Sequence, residues 1–230
     1  MTRPRRQLDI TTEQQASPEA KGEEPDTRPD ALRGEDPLEG SRYRTLRELG
    51  RGGMGTVFLA EHRDLGRTFA VKLLSPELSS DTVVVERMRR EARTASQIRH
   101  PGIVDVTDFG ETPTGRAFIV MEHLEGAPLS ALLAKERPLG QERALVLVLR
   151  ACEALAAAHE HDVIHRDIKP ANIVVVSEGE EAAVKIVDFG IALSPEHAGS
   201  RLTERGTMPG TPMYMAPEQV KTRTATVASD

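Results

Sequence analysis

The sequence predicts an α+β protein in two unequal parts, an antiparallel sheet of five strands with one helix set among them, then a mainly helical part. Three observations carry that expectation. From Tyr43 the short segments YRTLREL, TVFLAEH and TFAVKLL alternate apolar and polar residues and are joined by glycines and polar turns, as antiparallel strands are. The stretch DTVVVERMRREARTASQIRH then changes to helical spacing and stops at Pro101, where a helix must break. Beyond Gly126 the apolar spacing becomes mostly helical.

The elements follow in order. Residues 1–40 are rich in Pro, Glu, Asp, Arg and Gly with almost no apolar pairs, too little apolar surface to offset the entropy of ordering, so a disordered tail is expected. After the first three strands and the helix at 81–99, the segments GIVDVTDF and RAFIVMEHL complete the sheet. Residues 139–161 are the longest helix candidate, with Leu145, Val148, Leu149, Cys152, Leu155 and Ala156 on one face; Cys152 is there expected as a core packer rather than a nucleophile. Past HRDIKPAN, the strands NIVVV and AAVKIV bracket the polar turn SEGEE.

Composition narrows the function. The chain has 230 residues, 38% hydrophobic and 29% charged, enough for one globular unit with a sizeable core. A single cysteine excludes an internal disulfide framework and fits a reducing compartment. No apolar run approaches the roughly 20 residues of a membrane span, and the start, MTRPRRQLDITTEQQ, lacks the apolar segment of a secretory signal, so a cytoplasmic location is expected. A formal charge of -6 and 3% aromatics argue against nucleic acid as a partner. The arginines Arg87, Arg89, Arg90 and Arg93, set beside acids, read as a solvated helix face.

Three clusters carry chemistry. Gly50-Arg51-Gly52-Gly53-Met54-Gly55-Thr56-Val57 fits G-x-G-x-x-G-x-V, in which glycines let backbone N–H groups approach phosphate oxygens. A strand-like segment follows the glycines, so a hairpin flap is expected rather than a helix-capped turn; a glycine-rich turn without ligand is the alternative. Lys72 ends an apolar strand and needs a carboxylate or phosphate to offset desolvation. Glu91 is the one acid in the stripe Val84, Met88, Glu91, Ala95, Ile98, and is expected to pair with Lys72, unless it sits at the stripe edge and reaches water. In His165-Arg166-Asp167-Ile168-Lys169-Pro170-Ala171-Asn172, Asp167 suits a general base, Lys169 a charge stabiliser for transferred phosphate and Asn172 an oxygen ligand for a metal; a merely solvated turn is the alternative. His159, His161 and His165 lack cysteine or carboxylate support for a zinc site.

Together with Ala70-Val71-Lys72, Glu91, Asp188-Phe189-Gly190 and Ala216-Pro217-Glu218, these clusters resemble the protein kinase signature set over residues 43–230. HRDIKPAN and GTPMYMAPE are similar to the Ser/Thr class, and the glycine loop to its bacterial members. The resemblance implies a two-lobed kinase fold: an N-lobe and hinge at 41–124 and a partial C-lobe at 125–230. It implies ATP and magnesium, with manganese as a substitute, and protein substrates bearing Ser or Thr. Gly50, Arg51, Gly52, Gly53, Met54 and Gly55 would cover the phosphates, Lys72 would contact them, and Asp188 and Asn172 would hold the ions. Met121 would border adenine, the Glu122 carbonyl and Leu124 N–H would pair with its edge, and Val57 and Ala70 would cover its face. Phe189 would pack inward and govern docking of the Glu91 helix. Arg166 would await a phosphate on the activation segment, which carries Ser200, Thr203, Thr207 and Thr211; Thr203 and Thr207 are the candidates, while Thr211 would contact Asp167 and Lys169.

An earlier triplet, Asp108-Phe109-Gly110, is expected to be structural, its glycine making a hairpin turn. The family pattern continues past Asp230 into a helical portion, including an arginine that pairs with the acid at Glu218. The expectation is therefore an incompletely covered C-lobe, weak ATP binding, poor turnover by the chain alone and possible self-association. A non-catalytic regulatory or scaffold module is the alternative.

Overall fold

The structure, a computed structural model, describes residues 36–177, 183–189, 212–222 and 224–230, with the backbone alone at Glu91. Five strands, β1 (Tyr43–Gly52), β2 (Gly55–His62), β3 (Thr68–Leu74), β4 (Val106–Glu111) and β5 (Ala117–Glu122), form one antiparallel sheet in the order β1-β2-β3-β5-β4. Residues Ala70 to Leu74 of β3 are all buried, because both faces of the sheet are covered.

Over one face lies α2 (Thr82–Ala95), which follows the short α1 (Pro76–Ser79). Asp81 starts α2, its Oδ1 accepting the Val83 and Val84 N–H groups at 3.0 and 3.3 Å. Val85, Met88, Ala92 and Ala95 are its buried residues, at a spacing of three and four, and pack with Ala70, Leu74, Ile119 and Met121. Burial of Met88 alone contributes about 1.5–3 kcal/mol. Met88, Ala95 and Ile98 of the predicted stripe are thus buried and Val84 packs on the same cluster, while the buried face widens to take in Val85 and Ala92.

The other face is closed by Tyr43, Phe58, Phe118 and Leu38, with the Tyr43 ring edge-on to Phe118 at 5.9 Å. Leu38 corrects the tail boundary expected at residue 40. It is fully buried, and Asp36 Oδ1 accepts its N–H at 3.0 Å while Oδ2 accepts that of Thr45 at 3.3 Å. A single apolar side chain seated against a preformed sheet suffices where the average composition suggests disorder.

The strand predicted at 102–109 forms later, at β4. Residues 102–104 instead bond to β8 (Ala183–Ile186): Ile186 N donates to Gly102 O at 2.8 Å and Val104 N to Ile186 O at 3.1 Å. Gly110 is inside β4, not in a turn, which corrects the second expectation for the first triplet. A Cβ there would lie 2.6 Å from Phe118 Cζ, so the close approach of the ring requires glycine. The turn falls at Thr112–Arg116, where Gly115 takes a φ of +77°.

The second part holds α3 (Leu129–Lys135), α4 (Gln141–His159), α5 (Pro217–Lys221) and a small sheet in which β6 (Ala127–Pro128) and β8 flank β7 (Ile173–Ser177). In α4 the buried residues are Leu147, Ala151, Ala154, Leu155 and Ala158. Leu145, Val148 and Leu149 are 57–62% exposed, and Cys152 and Ala156 are exposed as well, so only Leu155 of the predicted core face is in the core. The run Leu145-Val146-Leu147-Val148-Leu149 is apolar on every side, and periodicity cannot choose the inward stripe there. None of the described helices is long and apolar enough to cross a membrane.

Candidate active site

The glycine segment is a strand–turn–strand flap. Gly50 faces Val57, Arg51 faces Thr56 and Gly52 faces Gly55 across β1 and β2, leaving Gly53 and Met54 as the turn. Gly55 has a φ of +151°, and a Cβ on it would sit 2.1 Å from Leu73 O, so no larger residue fits. At Gly50, Gly52 and Gly53 a Cβ would meet nothing within 4 Å, so no neighbouring atom crowds the flap on that side. Arg51 is exposed and bonded to Glu48 at 2.8 Å.

Lys72 stands between Val57 and Ile119 in the sheet and is 9% exposed. Its Nζ donates to Asp188 Oδ1 at 2.7 Å, so the predicted cation and the predicted metal acid, 116 residues apart, converge. Among the described side chains Asp188 is the ion-pair partner of Lys72; Glu91 lies in α2, and its side chain, with the pairing expected for it, is outside the described atoms. Asp188 has a φ of +57°, a left-handed backbone that Asp tolerates.

Beside it, Lys169 Nζ and Asn172 Nδ2 donate to Asp167 Oδ2 at 2.6 and 3.1 Å. Asn172 Nδ2 also donates to Asp167 O at 2.8 Å, and the Val187 N–H to Asn172 O at 3.0 Å. The amide NH2 is thus occupied, and Asn172 Oδ1 is the acceptor left for a cation. His165 is fully buried; its Nδ1 accepts the Asp167 N–H at 3.2 Å, so Nε2 carries the proton and donates to Val187 O at 2.9 Å. Burial pushes its pKa down, favouring this neutral ring. Phe189 packs inward against it at 4.8 Å and joins Ile103, Leu155 and Ile186. Gly190, Ser200, Thr203, Thr207 and Thr211 lie outside the described residues.

Val57, Ala70, Met121 and Leu124 belong to one apolar cluster with Val187, the residue before Asp188. Ala70 and Met121 are cross-strand neighbours. The predicted adenine wall is therefore continuous with the core under α2.

The first triplet has a separate task. Asp108 Oδ2 accepts from the Tyr43 hydroxyl at 2.9 Å and from Arg42 at 3.0 Å, and burial and that hydrogen bond push the Tyr43 pKa up to about 12. Phe109 carries the Arg89 guanidinium 5.2 Å from its ring centroid. The three histidines weighed for zinc have separate partners, Asp230 for His159, Ala157 O for His161 and Val187 O for His165. Among the described residues no three His, Cys, Asp or Glu side chains converge on a metal site.

Two features escape sequence reasoning. Asp230, fully buried at its side chain, accepts the N–H groups of His165 and Arg166 at 2.6 and 2.7 Å and contacts His159 Nε2 at 3.0 Å. Arg166, at a φ of +72°, is held further by Gln219 Nε2 donating to its carbonyl at 2.9 Å. Lys185 bridges β8 to Glu122 at the end of β5. Glu218, expected to lack a partner, accepts from Ser229 Oγ at 2.6 Å.

A model of the protein kinase domain matches residues 43–230. Serine/threonine-protein kinase PknA of Mycobacterium tuberculosis is 43% identical over 193 residues, which cover 82% of this chain and 44% of that protein. Serine/threonine-protein kinase Pkn1 of Myxococcus xanthus is 44% identical over 190 residues, 80% of this chain and 27% of that one. The chain thus spans less than half the length of these curated relatives. The crystal structure of the Mycobacterium tuberculosis PknI kinase domain superposes with a TM-score of 0.64 at 30% identity, covering 82% of this chain and 67% of that one. With a domain match over residues 43–230, Lys72 bonded to Asp188 and Asp167 bonded to Lys169 and Asn172, the chain belongs to the protein kinase family.

Proposed function

We propose that the protein transfers the γ-phosphoryl group of ATP to Ser or Thr hydroxyls of protein substrates in the cytoplasm. The observation that carries this reading is the Lys72–Asp188 contact at 2.7 Å, beside an Asp167 held by Lys169 and Asn172. A lysine 9% exposed requires an anion, and the open glycine flap beside it supplies N–H donors for phosphate oxygens. The carboxylate of Asp188 and the free Oδ1 of Asn172 are hard oxygen donors, too few for an all-protein cage, which suits magnesium or manganese completed by phosphate and water. When bound, the ion neutralises charge on the phosphates.

The chain's own groups divide the remaining work. Asp167, oriented by two donors on Oδ2, accepts the proton of the substrate hydroxyl as its oxygen bonds to the γ-phosphorus and the bond to the β-phosphate oxygen breaks. Lys169 and Lys72 offset the charge on the transferred and remaining phosphates. The wall of Val57, Ala70 and Met121 takes the adenine face, with the Glu122 carbonyl and Leu124 N–H at its edge. Glu91 is assigned to steady Lys72, and Arg166 to receive a phosphate on Thr203 or Thr207, with Thr211 contacting Asp167 and Lys169.

The test is radiolabelled phosphate transfer from ATP to casein and to the chain itself. Asp167→Asn and Lys72→Met are each expected to lower incorporation about 10²–10⁴-fold. Incorporation by either variant equal to the unmodified chain overturns the assignment.

A further inference from the structure

Lys185 lies on β8, three residues before Asp188, and its Nζ donates both to Glu122 Oε1 and, at 3.2 Å, to Ile103 O. The same Glu122 oxygen accepts the Asp105 N–H at 2.8 Å, and the Glu122 N–H donates to Asp105 O at 3.0 Å. Residues 102–104 are bonded in turn to Ile186 by two backbone hydrogen bonds. Three segments distant in sequence are therefore laced at one point: the connector after α2, the hinge end of β5, and the strand that leads to the metal acid. The Lys185 and Glu122 side chains are 20% and 31% exposed, sheltered enough for a charge-assisted bond to hold geometry.

We infer that Lys185 and Glu122 are positioning residues that fix the adenine edge of the nucleotide site relative to its cation end. The inference rests on the kinase reading above. Glu122 offers its backbone to the base while its carboxylate is bound by the strand that carries Asp188, so a single residue belongs to both ends of the ligand site. If the tie is cut, each end keeps its own groups, but their spacing is no longer set for one rigid triphosphate. Adenosine, which uses only the base end, is insensitive to that spacing; a magnesium-loaded nucleotide is not.

The experiment uses Lys185→Met, Glu122→Gln and the double variant in the full chain. Adenosine and the non-hydrolysable analogue AMP-PNP are titrated calorimetrically, with and without magnesium, and melting temperatures are recorded alongside. Lys185→Met, which touches no group assigned to the base, is expected to bind adenosine within about 2-fold of the unmodified chain; each single variant is expected to lose about 5–30-fold of the magnesium enhancement of AMP-PNP affinity, and the double variant no more, as groups acting through one contact do. Lower melting temperatures with the magnesium enhancement unaltered overturn the inference, since that pattern belongs to a merely stabilising ion pair. An enhancement that grows in the variants overturns it too, because the pair then restrains the site. Failure of the unmodified chain to bind AMP-PNP at all overturns the nucleotide-site reading, and this inference with it; normal binding with unaffected variants overturns the inference alone.

Discussion

Replacing Asp230 with Ala tests how the His165–Asn172 loop is held. The carboxylate is fully buried and accepts two backbone N–H groups, from His165 at 2.6 Å and Arg166 at 2.7 Å. Truncation strands both donors, and each unsatisfied buried donor costs about 1–3 kcal/mol. Partial relaxation of the loop brings the expected total to roughly 2–5 kcal/mol. For a chain of this size 1 kcal/mol lowers Tm by about 2–4 °C, so a central loss of ~3 kcal/mol corresponds to about 6–12 °C. Thermal unfolding followed by circular dichroism, with urea titration for the free energy, reads this directly. Asp230→Asn keeps one acceptor oxygen but points an NH2 group at the second donor, and is expected to lose nearly as much. A Tm change under about 2 °C for Asp230→Ala refutes the reasoning, for it would mean that both N–H groups find other acceptors without cost.

Further outcomes follow from the packing and from burial. Gly55→Ala adds a Cβ 2.1 Å from Leu73 O at a φ of +151°, and is expected to destabilise the flap by about 2–4 kcal/mol and to weaken AMP-PNP binding in calorimetry. Met88→Ala, at a residue 1% exposed, is expected to lower the unfolding free energy in urea by about 2–5 kcal/mol. His165 is buried neutral with its pKa pushed below the unfolded value of 6.5, so the unfolded chain binds the extra proton first as pH falls. Its contribution is complete above about pH 6.5 and is lost below, with a slope of at most about 1.4 kcal/mol per pH unit that His165→Gln should remove from the pH profile of unfolding free energy.

The parts of the candidate site are legible in the sequence because each is a local pattern: the glycine flap in eight consecutive residues, the Asp167–Asn172 loop in a single octet, and Asp188 at the end of the apolar strand AAVKIV. What joins those parts is not local. Asp230 carries no flanking pattern that distinguishes it from a surface acid, yet it closes onto residues 64 and 65 positions earlier. Lys185 reads as the polar half of a strand alternation, and only the tertiary fold brings Glu122 to it. The same limit explains α4, where a segment apolar all round allows two inward stripes and the neighbouring strands decide between them. It explains Leu38 as well, one apolar residue in a polar segment whose burial depends on a sheet formed elsewhere. Gly110 was expected to turn the chain, but a facing aromatic ring on β5 demands the missing side chain just as firmly.

Under the proposed nucleotide reading, in which Val57, Ala70 and Met121 cover the adenine, the apolar cluster that unites them with Val85, Met88, Ala92 and Ala95 has a consequence for ligand design and for drift among relatives. Selectivity and foldability are not separable traits in this region. A bulkier group at 121 that narrows the entrance for an inhibitor also presses on the mass against which α2 leans, and a smaller one loosens both. Tolerated changes should therefore come as compensating sets spread between the inhibitor-facing wall and the helix rather than as solitary replacements.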